Sequence, residues 1–160
     1  MGECQRAAGD SVILFLDFDG VLHPFFPRSD RSDEENQLFA YLPRLEKVLR
    51  DHPVCRIVIS SSWRENRPWE MVIGAFSPDI VPRIIGATPV LRVKEPPYPS
   101  HPRLEEIARF LDANGHSNAQ WVALDDDPGL YPPGCANLIL CEDGFREAEE
   151  AILRQVLGEI

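Results

Sequence analysis

Five consecutive apolar residues, Val12-Ile13-Leu14-Phe15-Leu16, run directly into Asp17-Phe18-Asp19-Gly20-Val21. A run this short, apolar at every position and bounded by polar residues, suits a strand covered on both faces, as in a parallel sheet between layers of helices. Side chains alternate along a strand, so Asp17 and Asp19 project to one side and Phe18 to the other if the extended conformation persists. Two carboxylates sharing one pocket resist joint ionisation unless one is protonated or a cation lies between them. Gly20 permits a sharp turn at that point. Asp and Gly are also common in plain polar turns. A calcium loop needs a further Asp or Asn before its glycine and an entering helix, and neither is present.

The remainder of the chain repeats the pattern of buried strand followed by polar edge. Residues 34–51 carry Leu38, Tyr41, Leu42, Leu45, Val48 and Leu49 at intervals of three and four. This spacing predicts an amphipathic helix, with Pro43 as a point of interruption. Residues 54–59 form a second buried-strand pattern that stops at Ser60-Ser61-Ser62-Trp63-Arg64. Strand, helix, strand implies a right-handed crossover to a parallel neighbour. The serines would then lie beside Asp17 at the carboxyl edge of the sheet, where open α/β sheets bind ligands. A short helix is predicted over 68–76, a third strand over 81–86 and an irregular, proline-rich loop over 88–102. Pro102 suits the first turn of a helix ending at Asn114-Gly115. A strand over 120–124 follows and stops at Asp125-Asp126-Asp127-Pro128-Gly129; a last strand over 137–141 and a helix over 145–157 close the chain. The expected fold is α/β, a single Rossmann-like three-layer sandwich over residues 1–160, with a mainly parallel central sheet of about five strands flanked by helices.

Charge narrows the range of partners. Twenty-six acidic against 16 basic side chains give a formal charge of -10, which opposes non-specific attraction to nucleic acid or an anionic membrane. A polynucleotide would require Arg28, Arg31, Arg64, Arg67 and Arg103 to gather on one face. Lys47 and Lys94 are the only lysines, so phosphate contacts fall mainly to arginine, whose planar fork grips phosphate bidentately. In the loop after Val21, Phe25, Phe26, Arg28 and Arg31 either close over a substrate or pack back on the core and point to solvent. His23 lacks a second His at a ligand spacing, which favours a positioning role over a metal role. Cys4, Cys55, Cys135 and Cys141 lack paired metal-ligand spacing, so free thiols in a reducing cytoplasm are expected. Glu3 and Arg6 at the start and the lack of a run of ~18 apolar residues predict no leader and no membrane span.

Four ordered motifs resemble those of the haloacid dehalogenase superfamily of phosphohydrolases, over nearly the whole chain. Asp17-Phe18-Asp19-Gly20-Val21 is similar to its first motif, and Ser60 to its second, with Ser61 as rival. Arg103 is similar to the third, with Lys94 as alternative, and Asp125-Asp126 to the fourth. The resemblance implies Asp17 as the nucleophile that forms an aspartyl-phosphate and Asp19 as general acid and base. Ser60 or Ser61 and Arg103 would hold phosphoryl oxygens. Mg²⁺ would be bound by Asp17, Asp125, Asp126 and the backbone carbonyl of Asp19. An acid at the position of Asp19 favours a phosphatase over a dehalogenase or an ion-pumping ATPase. The segments in which relatives insert caps are short here. The implied substrate is thus a phosphorylated small molecule or a nucleic-acid end, as in phosphatase-like domains associated with RNA repair. A non-catalytic phosphate-binding domain of the same fold is the other reading.

Overall fold

The five apolar residues that open the chain's pattern form β1, Val12–Leu16, and every one is buried. They are covered on both faces because β1 is the middle strand. It pairs in parallel with β2, Cys55–Ile59, and with β4, Gln120–Asp125, so that Leu16 lies opposite Ile59 and Leu124. Strand β3, Ile84–Ala87, adds beyond β2, and β5, Leu138–Leu140, beyond β4. The order is β3-β2-β1-β4-β5 with all strands parallel. This is a computed structural model describing residues 11–159; Cys4, Glu3 and Arg6 lie outside the described residues.

The strand period divides the core in two. Val12, Leu14 and Leu16 pack with Ile57, Ile59, Val122 and Leu124. They are covered by Leu45, Val48 and Leu49 of α1, Leu42–Asp51, and by Leu153 and Leu157 of α5, Glu147–Gly158. On the opposite face Ile13, Phe15, Val58 and Ala123 meet Ile107, Phe110 and Leu111 of α4, Pro102–Ala113. The result is the expected three-layer α/β sandwich. No helix among the described residues is long and apolar enough to cross a membrane.

The same parity positions the site. Asp17, Ser60 and Asp125 continue the odd series of β1 and its in-register neighbours, which faces α4. The ladder extends to them through Asp17 N–H to Leu124 O, 3.1 Å, and Ser60 N–H to Leu16 O, 3.0 Å.

Three elements depart from expectation. The helix predicted over 34–51 begins only at Leu42. Pro43 has no N–H to donate and so occupies the first turn, where none is needed. Residues 34–41 form successive turns that include Phe39, whose φ is +60°, and Leu38, counted in the periodicity, is 66% exposed. The strand predicted over 81–86 is a 3₁₀ turn, Val81–Arg83, around Pro82, and pairing begins at Ile84. The segment after the serines holds two short helices, α2, Trp63–Asn66, and α3, Trp69–Ile73, where a single one over 68–76 was expected.

Candidate active site

Two adjacent strand ends deliver the acids. Asp17 leaves β1, and Asp125 and Asp126 leave β4; each contributes one carboxylate oxygen to a group whose atoms all lie within 4.8 Å of one another. Asp126 reaches this position over Gly20, whose φ of +80° turns the chain away; a Cβ there would stand 2.1 Å from Asp126 Oδ2. Asp125 is buried and held by three groups. The Asp127 N–H donates to its Oδ1 at 3.1 Å, the Tyr131 hydroxyl to its Oδ2 at 3.3 Å, and Arg103 Nε lies 3.4 Å from Oδ2.

Electrostatics follow from this crowding. Burial and the neighbouring Asp125 push the Asp17 carboxyl well above the usual carboxylate range, with Arg103 pulling the other way. Burial followed by Asp125 raises Asp126, and burial raises Asp125 despite Arg103. Three converging carboxylates facing one guanidinium form a pocket short of positive charge. Their donors are hard oxygens, with no sulfur or imidazole among them, so the set fits Mg²⁺.

Asp19 stands apart from the three. Its carboxylate accepts from His23 Nε2 at 2.8 Å and from the indole Nε1 of Trp63 at 3.2 and 3.3 Å. A contribution of Asp19 to a metal would therefore be the backbone one implied by the resemblance. The two serines differ as well. Ser61 Oγ accepts from the Trp63 N–H at 3.2 Å, whereas the buried Ser60 Oγ has no partner among the described residues.

Arg103, in the first turn of α4, reaches both Asp125 and Glu106 Oε1, the latter at 3.2 Å. Lys94 is exposed in the proline-rich loop and makes no ion pair among the described residues. The Arg64 side chain is 4% exposed and is engaged in structural contacts. It donates to the carbonyls of Ser60, Ser61, Thr88 and Pro89 at 3.0 to 3.3 Å and pairs with Glu106.

In the loop after Val21, Leu22 and His23 are buried but the Phe25–Phe26 tip does not pack back on the core. Phe25 and Phe26 are 60% and 71% exposed and stand edge to face with centroids 4.7 Å apart. They border a cleft of about 360 Å³ that reaches Gly20 and Asp126. Arg28 is paired with Asp30 and Asp143, and Arg31 with Asp30. Arg67 lies 3.8 Å over the Trp63 ring. Of the five arginines named from the sequence, Arg28, Arg31, Arg64 and Arg103 each face at least one carboxylate.

Sequence reasoning overlooked Trp63 and Tyr131 as partners of the acids, and Glu106 as the link between Arg64 and Arg103. The Arg103–Glu106 spacing of three on a helix was a usable signal; the other two contacts are purely tertiary.

No curated protein and no solved structure matches this chain significantly. One family model does, that of the HAD domain in Swiss Army Knife RNA repair proteins, over residues 13–149. That span contains β1 from its second residue on, all the acids of the cluster, Asp19 and Arg103, and it ends in the first turn of α5. The chain belongs to this HAD domain family, within the haloacid dehalogenase superfamily.

Proposed function

We propose that the chain is a Mg²⁺-dependent phosphatase that hydrolyses a phosphomonoester through an aspartyl-phosphate on Asp17. The observation that carries this is the division of labour among the acids. Asp17, Asp125 and Asp126 converge to within 4.8 Å, while Asp19, two residues along, is held outside the group by two N–H donors.

Asp17, Asp125 and Asp126 would hold the ion, which when bound supplies the positive charge an anionic ester needs beside an anionic nucleophile. The chain's own residues do the rest. An oxygen of Asp17 attacks phosphorus and the bond to the leaving oxygen breaks, while Asp19 gives that oxygen its proton. Asp19 then takes a proton from water as the water oxygen attacks phosphorus; inorganic phosphate leaves and Asp17 is regenerated. Ser60 Oγ has no partner among the described residues, and Ser61 Oγ accepts from the Trp63 N–H while keeping its own O–H to donate, so either hydroxyl can meet a phosphoryl oxygen; Arg103 supplies charge beside it.

Hydrolysis of an aryl phosphate should depend on Mg²⁺ and vanish in Asp17→Asn with the fold retained. Full activity in that variant, or metal-independent turnover, would overturn the proposal; phosphate binding without turnover would favour a non-catalytic phosphate-binding domain.

A second, narrower reading is supported by the exposed Phe25–Phe26 pair beside the site and by the family's occurrence in RNA repair proteins: the substrate is a nucleic-acid end. Aromatic faces stack on any base. With Arg28 and Arg31 neutralised by Asp30 and Asp143, docking would rest on the terminal nucleoside more than on the backbone. A 5′- or 3′-phosphorylated oligonucleotide should be preferred over the mononucleotide; equal kcat/KM for the two would count against it and favour a small-molecule phosphomonoester. The setting proposed is the cytoplasm. Cys55, Cys135 and Cys141 are free thiols, and burial pushes Cys55 up to about 12, which keeps it inert.

A further inference from the structure

Asp17 and Asp19 have the same chemistry and lie two residues apart, yet only one joins the metal-type cluster. The difference lies in what surrounds Asp19. His23 is 2% exposed and Asp19 is 31% exposed at the side chain. The backbone N–H of Phe39 donates to His23 Nδ1 at 3.1 Å. An acceptor nitrogen carries no proton, so in the neutral ring the proton sits on Nε2 and is donated to Asp19 Oδ1 at 2.8 Å.

Trp63 supplies the second donor. Its Nε1–H is shared between Oδ1 at 3.3 Å and Oδ2 at 3.2 Å. Oδ1 therefore accepts from two residues, and Oδ2 from only a shared bond. The clamp is also rigid. The Gly20 N–H closes on His23 O at 2.9 Å, and Phe39 packs edge to face on Phe18, His23 and Trp63 at 5.2 to 5.3 Å. Phe39 takes a left-handed φ of +60°, a costly conformation for a residue with a side chain. That conformation accompanies the N–H it aims at His23.

We propose that His23, acting on Oδ1, and Trp63, acting on both oxygens, are positioning residues that pin Asp19, keep its carboxylate out of the metal-type cluster and leave the remaining lone pair of Oδ2 to exchange the proton with leaving group and water. The proposal rests on the phosphatase reading above. In the first step the proton passes from Oδ2 to the leaving oxygen as its bond to phosphorus breaks; in the second, water returns a proton to Oδ2.

Paired variants test it. His23→Asn keeps an acceptor near Nδ1 for the Phe39 N–H and removes the donor to Asp19. His23→Gln restores an N–H near the position of Nε2. The quantity to compare is kcat/KM for nitrophenyl phosphate against kcat/KM for an alkyl phosphate with Mg²⁺, because kcat/KM covers the steps through departure of the leaving group. A poor leaving group needs its proton; nitrophenolate does not.

The nitrophenyl-to-alkyl ratio should rise by about tenfold or more in His23→Asn and stay within about threefold of native in His23→Gln. Trp63→Phe, which keeps the ring packing and removes only the N–H, should raise the ratio in the same direction. It also carries the test if His23→Asn does not fold. An unchanged ratio in the folded variants, or an equal loss on both esters, overturns the proposal, because damaged packing acts on both esters alike. Nitrogen NMR of the histidine-labelled native chain should show His23 protonated at Nε2 with Nδ1 as acceptor; a neutral ring protonated at Nδ1 overturns it independently of turnover. A native chain inactive on both esters counts against the phosphatase reading, and the NMR result then decides the clamp alone.

Discussion

Gly20 is the residue on which the site turns, for two separate reasons. Its φ of +80° lies where a side chain costs about 1–2 kcal/mol, and the space a Cβ would need is taken by the carboxylate of Asp126, 2.1 Å away. Gly20→Ala should therefore do more than destabilise. Thermal unfolding should fall by several degrees, and Mg²⁺-dependent turnover should fall at least about tenfold because Asp126 is displaced from Asp17. A variant with native kcat would show that Asp126 is dispensable. The first acids were legible in the sequence because an apolar run ending in Asp-x-Asp-Gly encodes both a buried strand and two same-side carboxylates. Trp63 and Tyr131 were not, because a donor 44 residues from Asp19 and one six residues past Asp125 meet their acids only through the folded sheet edge.

At the scale of elements, α4 is fastened to the catalytic edge by charge as well as by Ile107 and Phe110. Glu106 is buried between Arg64 and Arg103, and Arg103 also faces Asp125. Removing the shared carboxylate leaves two buried guanidiniums with reduced compensation, which typically costs about 3–5 kcal/mol. Glu106→Ala should show that loss in denaturant unfolding, with turnover of the folded fraction also reduced because Arg103 is no longer held. Near-native stability would mean that water or the flanking carbonyls satisfy both arginines. The parallel strands and α4 were readable from period and from Pro102. The start of α1 was misjudged because Leu38 keeps the helical spacing without facing a partner, and because the break is set by Tyr41 N–H bonding to Leu22 O at 2.8 Å. That bond joins two distant stretches of chain and leaves no local trace.

For the whole molecule, the raised carboxyls of Asp17, Asp125 and Asp126 set a direction of pH dependence. Their folded pKa values exceed the unfolded ones, so the folded chain binds more protons and this contribution to stability declines as pH rises from about 4. A divalent cation binds the deprotonated set and reverses that loss. The rise in Tm on adding Mg²⁺ should thus be larger at about pH 8 than at about pH 5; an equal rise at both would place the ion elsewhere. Exposed pairs such as Arg50–Asp79 and Arg154–Asp51 work in the opposite sense, since their lowered carboxyls lose their contribution only in acid. Arg64 has a further consequence at this scale. By gripping the Thr88 and Pro89 carbonyls at one end of the proline-rich loop and Glu106 just past the other, it closes the loop at its stem. Inside that stem the backbone of Leu91 bonds the same Glu106 carboxylate that holds Arg103, so the first residues of the loop and the guanidinium beside Asp125 share one anchor, and loosening either end of the stem is felt at the other.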